Sequence, residues 1–165
     1  MMYDKSKGGL HMSNIVINKD KQIFKLQQNL SSIRKIAGWT MQDLGDKIGL
    51  TKQTISNLEN RKTSMTLTQY IAIRKVIDDE IESNNSNELL SKVVGLLIDN
   101  SDQLDDESYI KAQEVVDTVA ASAVSGTPNK NLKKFFDVLI MSIPVIATIG
   151  VAIFIKSKNW LKFFK

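Results

Sequence analysis

Residues 39–62 read WTMQDLGDKIGLTKQTISNLENRK. Thr40 followed three residues later by Asp43 is a capping box, a helix start in which two side chains satisfy backbone N–H groups reciprocally. Leu44 and Ile48, four apart, give the helix that follows one buried face. Gly49 stops it, because glycine accepts the left-handed conformation that closes a helix. Thr51 then caps a second short helix, whose Ile55 and Leu58 point inward. Two short helices joined by a tight glycine-containing turn make the helix-turn-helix pattern.

The same periodicity continues on both sides. Ile23, Leu26, Leu30, Ile33 and Ala37 recur at spacings of three and four, which predicts a helix over 22–37 that ends at Gly38. Thr66 and Gln69 form another capping box, opening a helix with Leu67, Tyr70, Ile71, Ile73, Val76 and Ile77 as its apolar set. Beyond position 80 the character changes. Residues 83–86, SNNS, read as a hinge or cap. Leu89, Leu90, Val93, Val94 and Leu97 predict an amphipathic helix weakened by Gly95. Residues 100–106 are acidic and turn-like. Tyr109, Ala112, Val116, Val119 and Ala123 form a short heptad stripe. Residues 125–129, SGTPN, read as a linker. No strand-like alternation is long enough to matter, so the fold class is all-α.

The second helix of the pair has a polar flank. Lys52, Gln53, Ser56 and Asn57 lie opposite Ile55 and Leu58. A lysine can donate to guanine O6 or N7, and Gln or Asn can pair both ways with adenine. The first turns of the two short helices offer free N–H groups and a positive dipole end to phosphates. Lys62 is placed to join them.

The stretch resembles the phage-repressor (XRE) family of helix-turn-helix domains. The resemblance covers 24–77, roughly a third of the chain, with Leu44, Gly49, Thr51, Ile55, Ser56, Glu59, Asn60, Lys62 and Leu67 in register. It implies a lambda-repressor-like bundle of four or five helices whose third helix lies in the DNA major groove. It also implies that positions 52, 53 and 57 read bases. Thr40, Gln42, Thr51, Thr54 and Asn60 complete the expected DNA-facing set. Arg34 and Glu59 match positions that form an ion pair between helices one and three, a structural role. Three residues depart from the pattern. Met41 stands where a phosphate-binding Gln is usual, Gly45 replaces Ala at up to ~1 kcal/mol of helix propensity, and Arg61 replaces a turn glycine.

Charge is segregated. Residues 1–80 hold 13 Lys/Arg against 8 Asp/Glu, residues 81–127 hold 2 against 9, and residues 128–165 hold 7 against 1. A basic head suits a polyanion, and a basic end beside an apolar run suits anionic lipid headgroups. There is no cysteine, which excludes disulfides and thiolate–metal sites. No metal-ligand cluster, phosphate-cradling glycine loop or nucleophile–base pair is present, so neither catalytic residues nor cofactors are expected.

Residues 138–155, VLIMSIPVIATIGVAIFI, carry no charge. Eighteen residues at 1.5 Å each span about 27 Å, enough for a bilayer core. Residues 134–156 are therefore expected to form a transmembrane helix, with Trp160, Phe163 and Phe164 among lysines as an interfacial anchor.

The expected organisation is a flexible arm (1–21), a helix-turn-helix DNA-binding domain (22–82) and acidic amphipathic helices for dimerisation or signalling (83–125). A linker (126–133), the membrane helix (134–156) and a basic aromatic tail (157–165) follow. The corresponding function is a membrane-tethered, sequence-specific transcriptional regulator, single-pass in the cell membrane with its reader in the cytoplasm. Its partners are double-stranded DNA, the bilayer, a second copy as a homodimer, and a membrane protein. The alternatives are a membrane-anchored scaffold whose helix-turn-helix holds a protein, and a phage- or plasmid-type repressor whose apolar tail oligomerises.

Overall fold

The computed structural model describes residues 6–84 and 87–149, without the side chains of 6–18 and 148–149. All regular structure among them is helical: α1 (Ser6–Ile36), α2 (Met41–Ile48), α3 (Lys52–Glu59), α4 (Leu67–Ser83), α5 (Glu88–Val94), α6 (Asp106–Val124), α7 (Asn129–Ile140) and α8 (Pro144–Ile149). A π-helical turn, Gly95–Asp99, continues α5, and a 3₁₀ turn, Ser101–Gln103, leads into α6.

Helix α1 begins at Ser6, well upstream of the apolar periodicity that starts at Ile23. It is the pillar of the molecule because two of its faces are covered. Leu26, Leu30, Ile33 and Ala37 turn into the core beside Leu44, Ile55 and Leu58. The other face meets α6 through polar contacts. Asn29 Nδ2 donates to the Tyr109 hydroxyl at 3.0 Å, Gln113 donates to Asn29 Oδ1 at 3.0 Å, and Ser32 donates to Asp117 at 2.6 Å.

The segment after the hinge completes one continuous core. Leu89, Leu90, Val93, Val94, Leu96, Leu97 and Ile98 are all at most 2% exposed, each worth about 1.5–3 kcal/mol when fully buried. The buried face of α5 and the π turn that continues it are covered by α1, α4, α6 and α7, while Glu88 is exposed and Lys92 half-buried. At Gly95 the α-helix gives way to the π turn, and its carbonyl accepts from both the backbone N–H and Nδ2 of Asn100. The stripe Ala112, Val116 and Val119 is fully buried, on a helix that packs against α1 and α7 of the same chain.

The expectation of a membrane-spanning helix over 134–156 does not hold. Single-pass membrane localisation and the bilayer as partner fall with it. Among the described residues no helix is long and apolar enough to cross a membrane. Helix α7 stops at Ile140, and α8 starts afresh at Pro144. Proline has no N–H to continue a helix but fits the first turn of a new one. Leu132, Phe136, Ile140, Ile143 and Ile146 are at most 2% exposed, and α7 packs on α5 and α6. Lys92 fixes α7 to α5 through Asp137 at 2.6 Å. The apolar run thus supplies one buried stripe of a bundle. Its last residues, 150–155, and the aromatic tail lie outside the described residues.

Candidate nucleic-acid interface

The geometry of the α2–turn–α3 unit follows from its local sequence. The Thr40 hydroxyl accepts from Asp43 N–H at 3.0 Å, and Asp43 Oδ2 accepts from Thr40 N–H at 2.7 Å. The Thr40 N–H and the Thr40 hydroxyl, which donates to Asp43 Oδ2 at 2.8 Å, hold the Asp43 carboxyl below its ordinary pKa. Gly49 adopts φ +70°, and Leu50 N–H returns to Gly45 O at 2.9 Å. The turn is so tight that a Cβ on Gly45 would stand 2.4 Å from Leu50 O. Gly45 therefore has a steric reason that propensity alone does not reveal. Thr51 caps α3 by accepting from Thr54 N–H at 3.1 Å.

Helix α3 ends in a Schellman motif. Lys62 N–H reaches Asn57 O at 2.9 Å, and Arg61 N–H reaches Leu58 O at 3.1 Å. The residue at the left-handed position of such a motif is usually glycine. Here it is Arg61, at φ +54°. The departure noted in the sequence thus falls on a strained backbone position.

One side of α3 is anchored and the other is open. Ile55 and Leu58 are fully buried. Thr51, Lys52, Gln53, Asn60 and Lys62 are exposed, while Thr54, Ser56 and Asn57 are half-buried. Gln53 Nε2 donates to Asn57 Oδ1 at 2.9 Å, so the two amides are oriented together on the open flank. Asn60 Nδ2 folds back to Ser56 O at 2.8 Å. Lys52 and Lys62 form no ion pair among the described residues. Helix α2 contributes Thr40 and Gln42 at its exposed first turn, where Gln42 is held by Asp46 at 2.6 Å rather than by α3. Met41 is half-buried and packs against the core.

Long-range polar contacts fix α3 relative to α1. Arg34 donates through Nε and Nη2 to the two oxygens of Glu59, at 2.6 and 3.2 Å, and through Nη1 to Trp39 O at 2.7 Å. Only 9% and 4% of these two side chains is exposed, so the pair is effectively buried. Gln27 was not anticipated. Its Nε2 donates to Leu58 O and Thr63 O at 3.0 and 2.7 Å, and its Oε1 accepts from Met65 N–H at 2.9 Å. It staples the segment after α3 to α1. Its signal was a polar residue one turn from both Ile23 and Leu30 on the apolar face. Arg74 was also missed. It is 2% exposed and binds Asp99 at 2.8 Å and Asp78 at 3.3 Å. It sits four residues after buried Tyr70 on the inner face of α4, whereas Leu67 and Ile71, expected inside, are exposed.

Residues 30–78 match the family model described as Helix-turn-helix, so the resemblance seen in the sequence is shown for that segment. The chain is similar to Antitoxin HipB of Escherichia coli K12, 35% identical over 54 residues, which are 33% of this chain and 61% of that protein. It is also similar to Antitoxin HipB of Escherichia coli O6:H1, 33% identical over 54 residues, 57% of that protein's length. The chain thus spans about three fifths of these relatives. No solved structure matches it.

Proposed function

We propose that this chain, whose residues 30–78 match the helix-turn-helix family, is a sequence-specific double-stranded-DNA-binding transcriptional regulator that acts as a homodimer. The observation that carries the proposal is the open flank of α3. Lys52, Gln53 and Asn57 stand on a helix whose opposite side is locked by Ile55, Leu58 and the Arg34–Glu59 pair. A reading helix needs this division, because base edges are recognised by amides and cations held in fixed register. In this reading Lys52, Gln53 and Asn57 contact bases, with Ser56 alongside. Thr40, Gln42, Thr51, Thr54, Asn60 and Lys62 meet the phosphate backbone, which positions the reader without specifying sequence. Two copies would place their α3 helices in successive major grooves about 34 Å apart.

The test is duplex binding by the full chain across a range of salt. Phosphate contacts release counterions, so affinity falls linearly with log salt, by a slope of about −0.9 for each phosphate neutralised. Lys62→Ala should reduce that slope by about one without altering sequence preference. Binding insensitive to salt, or no duplex binding at all, would contradict the proposal.

A second reading follows from the name the relatives carry. As an antitoxin, the chain would counteract a toxin protein. Co-expression that relieves the growth arrest caused by a toxin protein of the same cell would support it, and continued arrest would oppose it.

A further inference from the structure

A cleft of about 450 Å³ opens between α1 and α6, lined by Lys21, Phe24, Lys25, Tyr109, Ile110 and Gln113 among others. This is within the range of small-molecule sites. Its most telling member is Lys25, a cation only 9% exposed. Its Nζ lies 4.6 Å from the centroid of the Tyr109 ring, and it has no carboxylate within ion-pair distance among the described residues. Burial lowers the Lys25 pKa first and Lys21 adds to the effect, while Asp102 and Asp106 oppose it. Of these two, Asp106 also lines the cleft. A lysine with a largely buried stem and a partly desolvated ammonium beside a second lysine is a place where an arriving anion relieves an existing penalty.

The walls are built rather than incidental. The Tyr109 hydroxyl accepts from Asn29 at 3.0 Å and donates to Leu97 O at 3.4 Å. Gln113 is fixed by Asn29 in turn. The aromatic wall is therefore rigid before any ligand arrives. Phe24 and Ile110, 57% and 55% exposed, leave large apolar side chains in water beside the cleft, and a flat ring would cover them. An inorganic anion would use the lysines and leave the walls wet, and a cation would face Lys21 and Lys25 with Asp106 as the one carboxylate of the lining to offset them.

We infer that this cleft binds a small aromatic carboxylate, with the carboxylate at Lys25 and Lys21 and the ring against Tyr109, Phe24 and Ile110. The inference does not depend on whether the chain reads DNA. The test titrates indole-3-acetate into the full chain and follows backbone amide shifts by NMR, with the uncharged indole-3-ethanol as the matched probe. Saturable shifts confined to the cleft residues are expected, with the alcohol at least tenfold weaker than the acid. Lys25→Met should weaken the acid at least tenfold and leave the alcohol unchanged. Equal binding of acid and alcohol by the native chain overturns the proposal, as do shifts centred elsewhere or no shifts. The native-chain comparison decides the matter even if the variant does not fold.

Discussion

Replacing Arg34 or Glu59 by Met tests how the reading helix is held. Each single substitution leaves the partner's charge in a setting where only 4–9% of the side chain meets solvent. Breaking a buried pair from one side costs about 3–5 kcal/mol, against ~0–1 kcal/mol for an exposed pair. Loss of Arg34 also strips the 2.7 Å hydrogen bond from Trp39 O, so Arg34→Met should be the more damaging of the two. The double substitution removes both charges and leaves apolar groups of similar volume, so it should cost much less than the sum of the singles. Urea unfolding of the full chain followed by circular dichroism gives the numbers. With a slope near 2 kcal/mol/M, a loss of ~4 kcal/mol moves the midpoint down by about 2 M. Single shifts below about 0.5 M that add in the double variant would refute the reasoning. The pair would then behave as a surface contact, and α3 would owe its placement to Ile55, Leu58 and the Gln27 hydrogen bonds.

Three further outcomes follow from other contacts. Arg61→Gly removes a side chain from a left-handed backbone position at φ +54° and should stabilise the chain by about 1 kcal/mol in the same urea assay; a loss of stability would show that the Arg61 side chain contributes more than its backbone strain costs. Gln27→Leu removes three hydrogen bonds to Leu58, Thr63 and Met65; Leu58 O keeps the Arg61 N–H, but the buried Met65 N–H is left unpaired at about 1–3 kcal/mol, and faster amide exchange over 58–65 should report it. Burial raises the Asp99 carboxyl from the ordinary 3.8 to about 6, with Arg74 acting against the shift. A folded-state pKa above the unfolded one contributes stability that is complete below about 3.8 and is lost as pH rises through about 6. The stability of Asp99→Asn relative to the parent should therefore improve between pH 4 and pH 7; a constant difference would show an ordinary carboxylate pKa for Asp99, and one that moves the other way a lowered pKa, and either would overturn the burial effect.

What the sequence disclosed was local. Thr40–Asp43, Thr51, Thr66–Gln69 and Gly49 act through hydrogen bonds or backbone angles a few residues away, so their residue types announce them. Ile55 and Leu58 were legible because only one face of a short helix can be covered. Gln27 and Arg74 were not, since the groups Gln27 binds lie 31 to 38 residues away and Asp99 lies 25 residues beyond Arg74; the i,i+4 contact of Arg74 with Asp78 reads in the sequence as an ordinary surface pair. The apolar run misled for a related reason. Its length suggested a bilayer, but Leu132, Phe136, Ile140 and Ile143 already followed a three-and-four pattern that the bundle could cover. Length measures how much apolar surface exists, and the surrounding helices decide what covers it. The heptad stripe of α6 shows the same ambiguity, because the mates it finds are α1 and α7.

The central claim is that the exposed flank of α3 reads base sequence. Selection of bound duplexes from a random pool by the full chain, repeated with Gln53→Ala and Lys52→Ala, tests it most directly. The account predicts a two-half-site motif with centres about 10 base pairs apart, and each variant relaxing the preference at one position per half-site by ~1–3 kcal/mol. Absence of any enriched motif, or the same motif at undiminished preference in both variants, would contradict it.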